Sequence, residues 1–272
     1  MRRYTLNPAM PVLLRPDGAV QVGWDPRRAV LVRPPSGLSP SALAELLRTL
    51  QSGATLAALR ERFGVDADEL VTSLVDAGVV TTAERRRTRA ASIRIHGRGP
   101  LSDLLAGALR CSGARVTHSS RTNAAPETTD LVVLSDFLVA DPRVVRELHT
   151  GRVAHLQVRL RDGAGLVGPL VIPGVTSCLG CADLHRSDRD AAWPAVASQL
   201  RDTVGNADRA TVLATAALAL NQVDRVIQAV RRGDAVGAAV EPPPTLDTTL
   251  EFDVNAGAIV ARRWSRHPRC WC

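Results

Sequence analysis

Two close cysteine pairs, far apart in the sequence, constrain this chain more than any other feature. They are Cys178-Leu179-Gly180-Cys181 and Cys270-Trp271-Cys272. A C-x-x-C spacing lets two thiolates converge on one metal while backbone amides point at the sulfurs. Four thiolates fill a tetrahedral shell and leave no open position. The pattern therefore predicts one closed, structural zinc site formed by Cys178, Cys181, Cys270 and Cys272, tying the last residues back onto a second domain. A redox motif is the alternative reading of the first pair, and His185 and His267 stand close enough in sequence to replace a ligand. The fifth cysteine, Cys111, lies among apolar residues at helical spacing and reads as a small buried side chain.

A chain of 272 residues is long enough for two domains, each with its own core. No apolar run approaches the roughly 20 residues of a membrane span, and Met1–Met10 lacks the apolar stretch of a signal peptide. A cytoplasmic protein is expected, in a reducing compartment that suits metal-bound thiolates better than disulfides. The net charge of +7 is carried by arginine alone, since the chain contains no lysine. That bias suggests a GC-rich genome and weakens the charge as evidence for a nucleic-acid partner.

The first 88 residues carry two patterns in succession. Alternating runs at Pro11–Arg15, Ala19–Trp24 and Ala29–Arg33 surround the turn Pro16-Asp17-Gly18 and read as a three-stranded meander. Three helices follow: one capped by Ser39 or Ser41 and running through Leu50, one from Thr55 to Gly64, and one from Asp66 to Gly78. The order predicts a winged-helix-like domain over residues 1–88, with Glu84–Arg89 as a charged spacer.

From residue 89 to 272 the pattern is strand, glycine turn, helix. Ile93 and Ile95 lead into Gly97-Arg98-Gly99-Pro100-Leu101-Ser102, and Leu101–Cys111 continues with helical spacing. Strands at Arg115–His118, Asp130–Ser135 and Val153–Val158, with a helix at Pro142–Thr150, predict a parallel Rossmann-like sheet. A glycine-rich hairpin is expected at Gly165–Pro173, a long helix at Asp208–Arg232, and a last hairpin around Asn255-Ala256-Gly257. The glycine turn lacks the third glycine of a dinucleotide fingerprint, where Ser102 stands. An acidic ribose ligand is also missing after the second strand, at Thr117-His118-Ser119-Ser120.

Pro173-Gly174 before the C-x-x-C, Asp183-Leu184-His185-Arg186 after it, and the closing His267-Pro268-Arg269-Cys270-Trp271-Cys272 together carry a resemblance. Over nearly its whole length the chain resembles the ThiF-like, ubiquitin-activating-enzyme-like partner proteins of cyclodehydratases in thiazole/oxazole-modified peptide (bacteriocin-type) biosynthesis. The resemblance implies an α/β chain: a winged-helix-like peptide-recognition domain, then a shortened adenylating-enzyme domain with a zinc knuckle. It also implies a precursor leader peptide and a YcaO-type cyclodehydratase as partners, and a homodimer as the default assembly. Active adenylating relatives cradle ATP with glycines, an Asp and a lysine. Here Gly97, Gly99 and Asp136 fit such a site, but Phe137 follows the Asp and no lysine exists, so the set reads as vestigial and argues against ATP.

The expected function is therefore a non-catalytic scaffold that binds a leader peptide and presents the precursor to the cyclodehydratase. Val30, Leu31, Val32, Leu70 and Leu74 are the candidate peptide groove, where an extended segment adds to the sheet. Each has an ordinary core role as its competing reading. The first alternative is an active ATP-dependent adenylating enzyme acting on a peptide or protein C-terminus. The second is a winged-helix DNA-binding regulator, disfavoured because the third helix carries Asp66, Asp68, Glu69 and Asp76, which repel phosphate.

Overall fold

A computed structural model describes residues 2–84, 89–119, 129–232 and 242–272. The chain divides into two compact units, Met1–Arg87 and Thr88–Cys272. The middle of the charged spacer, residues 85–88, lies outside the described residues. No helix among the described residues is long and apolar enough to cross a membrane.

The first unit runs β1 (Arg2–Leu6), β2 (Val12–Leu14), β3 (Val20–Val22), β4 (Val30–Val32), α1 (Pro40–Gln51), α2 (Leu56–Phe63), α3 (Asp68–Asp76) and β5 (Val80–Glu84). The meander forms as expected, with Val12 opposite Val22 and Val20 opposite Val32. Strand alternation puts those valines into the core and turns Leu13, Gln21 and Leu31 to the other face. Helix α1 starts because the Ser39 side chain accepts from the Ala42 amide and Pro40 presets the first turn. Its Leu43, Leu46, Leu47 and Leu50 are fully buried, each stabilising the unit by roughly 2 kcal/mol relative to exposure. Helix α2 is capped by Thr55 and ended by Gly64 at φ 70°. Helix α3 turns Val71 and Leu74 inward and leaves Asp68, Glu69 and Asp76 exposed. One sheet was not anticipated: β1 pairs antiparallel with β5. Its two strands lie at opposite ends of the unit, so no local pattern announces the pairing.

The second unit runs β6 (Ser92–His96), α4 (Pro100–Leu109), β7 (Arg115–Ser119), β8 (Leu131–Ser135), α5 (Pro142–Thr150), β9 (His155–Arg161) and β10 (Ala164–Val171). It continues through α6 (Leu179–Arg189), α7 (Trp193–Leu200), α8 (Arg209–Arg232), β11 (Thr248–Asp253) and β12 (Ala258–Arg263). Strand β11 pairs with β10 and β12 with β11, completing a seven-stranded mixed sheet in the order β12-β11-β10-β9-β8-β6-β7. The four strands β7, β6, β8 and β9 are parallel and the remainder antiparallel. Helices cover both faces: α4 and α8 bury Leu101, Leu105, Ala219 and Val223 on one. On the other, α5 and α6 bury Val144, Leu148 and Leu179. Strand order reverses between β6 and β8, the switch point where open α/β sheets place ligands.

Two expectations need correction. The hairpin expected at Gly165–Pro173 is instead the single strand β10. The turn lies earlier, at Asp162-Gly163, with φ of 51° and 80°, the positive pair that a tight hairpin requires. Cys111 is exposed, because α4 ends at Leu109 and the chain turns away through Gly113 at φ 70°.

Candidate functional site

The cysteine knuckle is built from three segments that converge on the start of α6. Cys178 is the residue that caps this helix, and its sulfur accepts from the Cys181 amide at 3.4 Å. Asp247 ties the approach to the closing segment: its carboxylate accepts from the Ser177 amide at 2.6 Å and its carbonyl from the Trp264 amide at 2.8 Å. Beyond Trp264, Arg266 donates to the Gly174 carbonyl at 2.7 Å, and the Cys270 amide donates to the His267 carbonyl at 2.9 Å.

The four sulfurs of Cys178, Cys181, Cys270 and Cys272 lie within 4.8 Å of one another. Their closest pairs are 3.8 Å (Cys178–Cys181), 3.5 Å (Cys178–Cys270) and 3.4 Å (Cys181–Cys272), far beyond a disulfide bond. Four thiolates around one zinc stand about 3.8 Å apart, so the cluster fits a single tetrahedral metal ion. Burial pushes the Cys178 thiol up and Cys272 up to about 11. Burial acts on Cys181 in the same sense, yet hydrogen bonds from the backbone at Cys178 and His267 and from neighbouring thiols bring it down to about 7. Metal binding at such a cluster displaces protons.

Neither histidine joins the ligand set. The ring of His267 is engaged at both nitrogens: Nδ1 accepts from the Arg269 amide at 3.1 Å and Nε2 meets Asp188 at 2.7 Å. His185 packs edge-on against it at 4.7 Å and contacts the Ser265 carbonyl at 3.1 Å. These contacts hold the closing segment against α6, the supporting role that outer residues play around metal ligands.

The glycine turn opens α4 at the switch point, where a helix N-terminus presents unpaired amides to an anion. Here Asp136 fills that place. Its carboxylate accepts from the Leu101 amide at 2.9 Å and the Ser102 amide at 3.2 Å, and it is 1% exposed. Its backbone is held at φ 72° by bonds to the Val158 carbonyl and the Gly205 amide, both 3.0 Å. The glycines serve this contact. A Cβ at Gly97 would strike the Ser135 side chain and stand 2.6 Å from its carbonyl oxygen and 2.8 Å from Asp136 Oδ2, and one at Gly99 would stand 2.8 Å from Asp136 Oδ1. Gly97, Gly99 and Asp136 thus meet as one group, with the carboxylate bonded within the chain.

The five groove residues do not share one surface. Val32 and Leu74 belong to the first unit's core, Val30 and Leu70 pack partly against it, and Leu31, 57% exposed, faces away. Leu13 and Leu14, exposed on β2 at the other side of β3, escaped the sequence reading. The strand pairing could have found them, since Leu13 and Leu31 flank Gln21 across the meander.

The second unit is thus a mixed α/β fold with a candidate four-cysteine metal site, preceded by a smaller α/β unit. No protein-family model and no curated protein sequence matches the chain. Among solved structures, a heterocyclase in complex with substrate and cofactor aligns over 100% of this chain and 39% of its own, at 15% identity and TM-score 0.68. The heterocyclase TruD aligns over 100% and 42%, at 18% identity and TM-score 0.67. The chain therefore spans about two-fifths of the length of these heterocyclases. MccB from E. coli, solved with ATP, aligns over 99% of both chains at 14% identity and TM-score 0.57; MccB has also been solved with N-formylated MccA. At these identities the likeness establishes the fold.

Proposed function

We propose that this chain is a zinc-stabilised, non-catalytic scaffold that binds the leader segment of a ribosomal precursor peptide and delivers it to a YcaO-type azoline-forming cyclodehydratase. One observation carries the reading: the meander leaves the outer edges of β2 and β4 unpaired among the described residues, beside the exposed Leu13 and Leu31. An unpaired edge supplies main-chain hydrogen bonds to an added strand, and apolar side chains beside it supply selectivity. Tethering the leader makes the next encounter with the cyclising enzyme intramolecular. The likeness to heterocyclases and to MccB, a microcin biosynthetic enzyme solved with N-formylated MccA, supports a peptide-modifying system. Zinc is the metal we assign to the four thiolates, because a closed all-sulfur tetrahedral shell suits a structural zinc.

The test is an anisotropy titration of the full chain with a labelled leader peptide from a precursor encoded beside it. Saturable binding lost in Leu31→Asp is the expected result. Absence of saturable binding to every neighbouring precursor would sink the reading.

The alignment with MccB over 99% of both chains favours a second reading, ATP-dependent adenylation of a peptide or protein C-terminus. Opposing it, the anion seat at α4 is occupied by Asp136. ATP–pyrophosphate exchange that disappears in Asp136→Ala would establish this alternative.

A further inference from the structure

A cavity of about 470 Å³ in the second unit has no part in either reading. Its volume falls within the range of small-molecule sites. The segment after β8 contributes Leu138, β9 contributes Gln157 and Arg159, and Leu179 of α6, Trp193 of α7 and Leu200 complete an apolar wall.

Strand alternation aims Gln157, Arg159 and Arg161 at the same face, and all three line the cavity. Arg159 is 7% exposed, and its Nη1 donates to the Leu138 carbonyl at 2.9 Å. That is its one hydrogen bond from the guanidinium among the described residues, and no carboxylate there forms an ion pair with it. Gln157 is 4% exposed, and its carboxamide makes no hydrogen bond among the described residues. A guanidinium fork and a carboxamide, both buried, therefore face an open space with most of their donors unused.

The surroundings sharpen the charge. Arg161 pairs with Glu251 at 3.1 Å, and Arg186 pairs with Asp183 at 2.9 Å while lying 5.1 Å over the Trp193 ring. Glu251 lies outside the lining, and Asp183, which lines the cavity, already accepts from Arg186 and from the Trp193 indole N–H at 3.2 Å. Burial first, then the fields of Arg186 and Arg161, push Arg159 down to about 9, the nearby Asp183 carboxylate offsetting only part of this. Such a charge is costly unless an anion joins it, and the planar fork matches an oxyanion in bidentate geometry.

We propose that this cavity binds a small organic anion, with its oxyanion head on Arg159 and Gln157 and its apolar body along Leu138, Leu179, Trp193 and Leu200. The cavity lies wholly within the second unit, and Asp136 is not among its lining residues. Carboxylate and phosphate heads share the required chemistry.

Isothermal titration of the full-length, metal-replete protein tests it with 3-phenylpropionate, phenyl phosphate and the neutral benzyl alcohol. At least one of the two anions should bind saturably, at least about tenfold tighter than the alcohol. Whichever anion wins identifies the head group. Arg159→Met should abolish that binding, and Gln157→Leu should weaken it several-fold; if Arg159→Met does not fold, Gln157→Leu decides. Failure of both anions to saturate, equal binding of the alcohol, or unchanged binding in Gln157→Leu would overturn the proposal.

Discussion

Two helices of the second unit start in the same way and end up with different chemistry. Helix α4 opens on Gly97–Pro100 and α6 opens on the C-x-x-C, and in each case the first-turn amides find an acceptor within the chain. At α4 the acceptor is the carboxylate of Asp136, which brings its own negative charge and completes the site. At α6 it is the sulfur of Cys178, a thiol that is pushed up by burial and that stands among three more sulfurs. The lesson is that a ligand-type motif is judged by what remains unfilled once the chain has folded. The glycine turn is satisfied internally; in the knuckle four sulfurs converge, and the proposed zinc would balance their charge.

The largest expected effect breaks the comparison at the knuckle. Cys270→Ser removes one of four ligands and should destabilise the second unit by at least about 3 kcal/mol, since structural zinc binding is itself folding free energy. Urea denaturation followed by tryptophan fluorescence measures this. A variant as stable as the parent would place the knuckle in the same class as the glycine turn.

Acid probes the knuckle side in a second way. His155 is fully buried, and Val153, whose carbonyl it contacts at 3.0 Å, packs on the cluster containing Cys178 and Cys181. Burial pushes His155 down to about 4 from an ordinary value of 6.5. Its folded pKa lies below the unfolded one, so its contribution is fully present above pH 6.5. It is lost as pH falls from 6.5 towards 4, by about 3 kcal/mol in total. A pH series of urea midpoints should show this slope, and His155→Asn should flatten it.

Asp136→Ala tests the other helix start. Losing a buried carboxylate that accepts two amide bonds should cost about 2 kcal/mol, measured by thermal unfolding. Leader binding should be unchanged. The smallest stability effect is expected at Leu31→Asp, about 0.5 kcal/mol or less at an exposed position. The same change should weaken leader binding by at least about tenfold, a contrast that core residues such as Val32 and Leu74 cannot show.

Local signals were legible in the sequence, and signals that depend on distant partners were not. Caps at Ser39 and Thr55, the stop at Gly64 and the long helix described over Arg209–Arg232 stand where spacing and turn chemistry put them. The meeting of the four cysteines was readable from their two tight pairs, a spacing that packing alone does not require. The β1–β5 pair was invisible because its strands meet across the whole first unit. Asp162-Gly163 carried a clear turn signal, but the surrounding glycines drew the hairpin too far along the chain. The role of Asp136 was legible only in part: its place after the third parallel strand fits a nucleotide ligand equally well, and only the fold shows its carboxylate turned onto α4. Arg159 and Gln157 gave no signal, since an arginine in a strand reads as exposed until its neighbours close over it.

Metal analysis of the full-length protein, purified without added metal or chelator, tests the contrast between the two helix starts most directly. One zinc per chain, lost together with unit stability in Cys178→Ser, is the predicted result. A zinc-free chain that unfolds at the same temperature as the zinc-supplemented protein would contradict it.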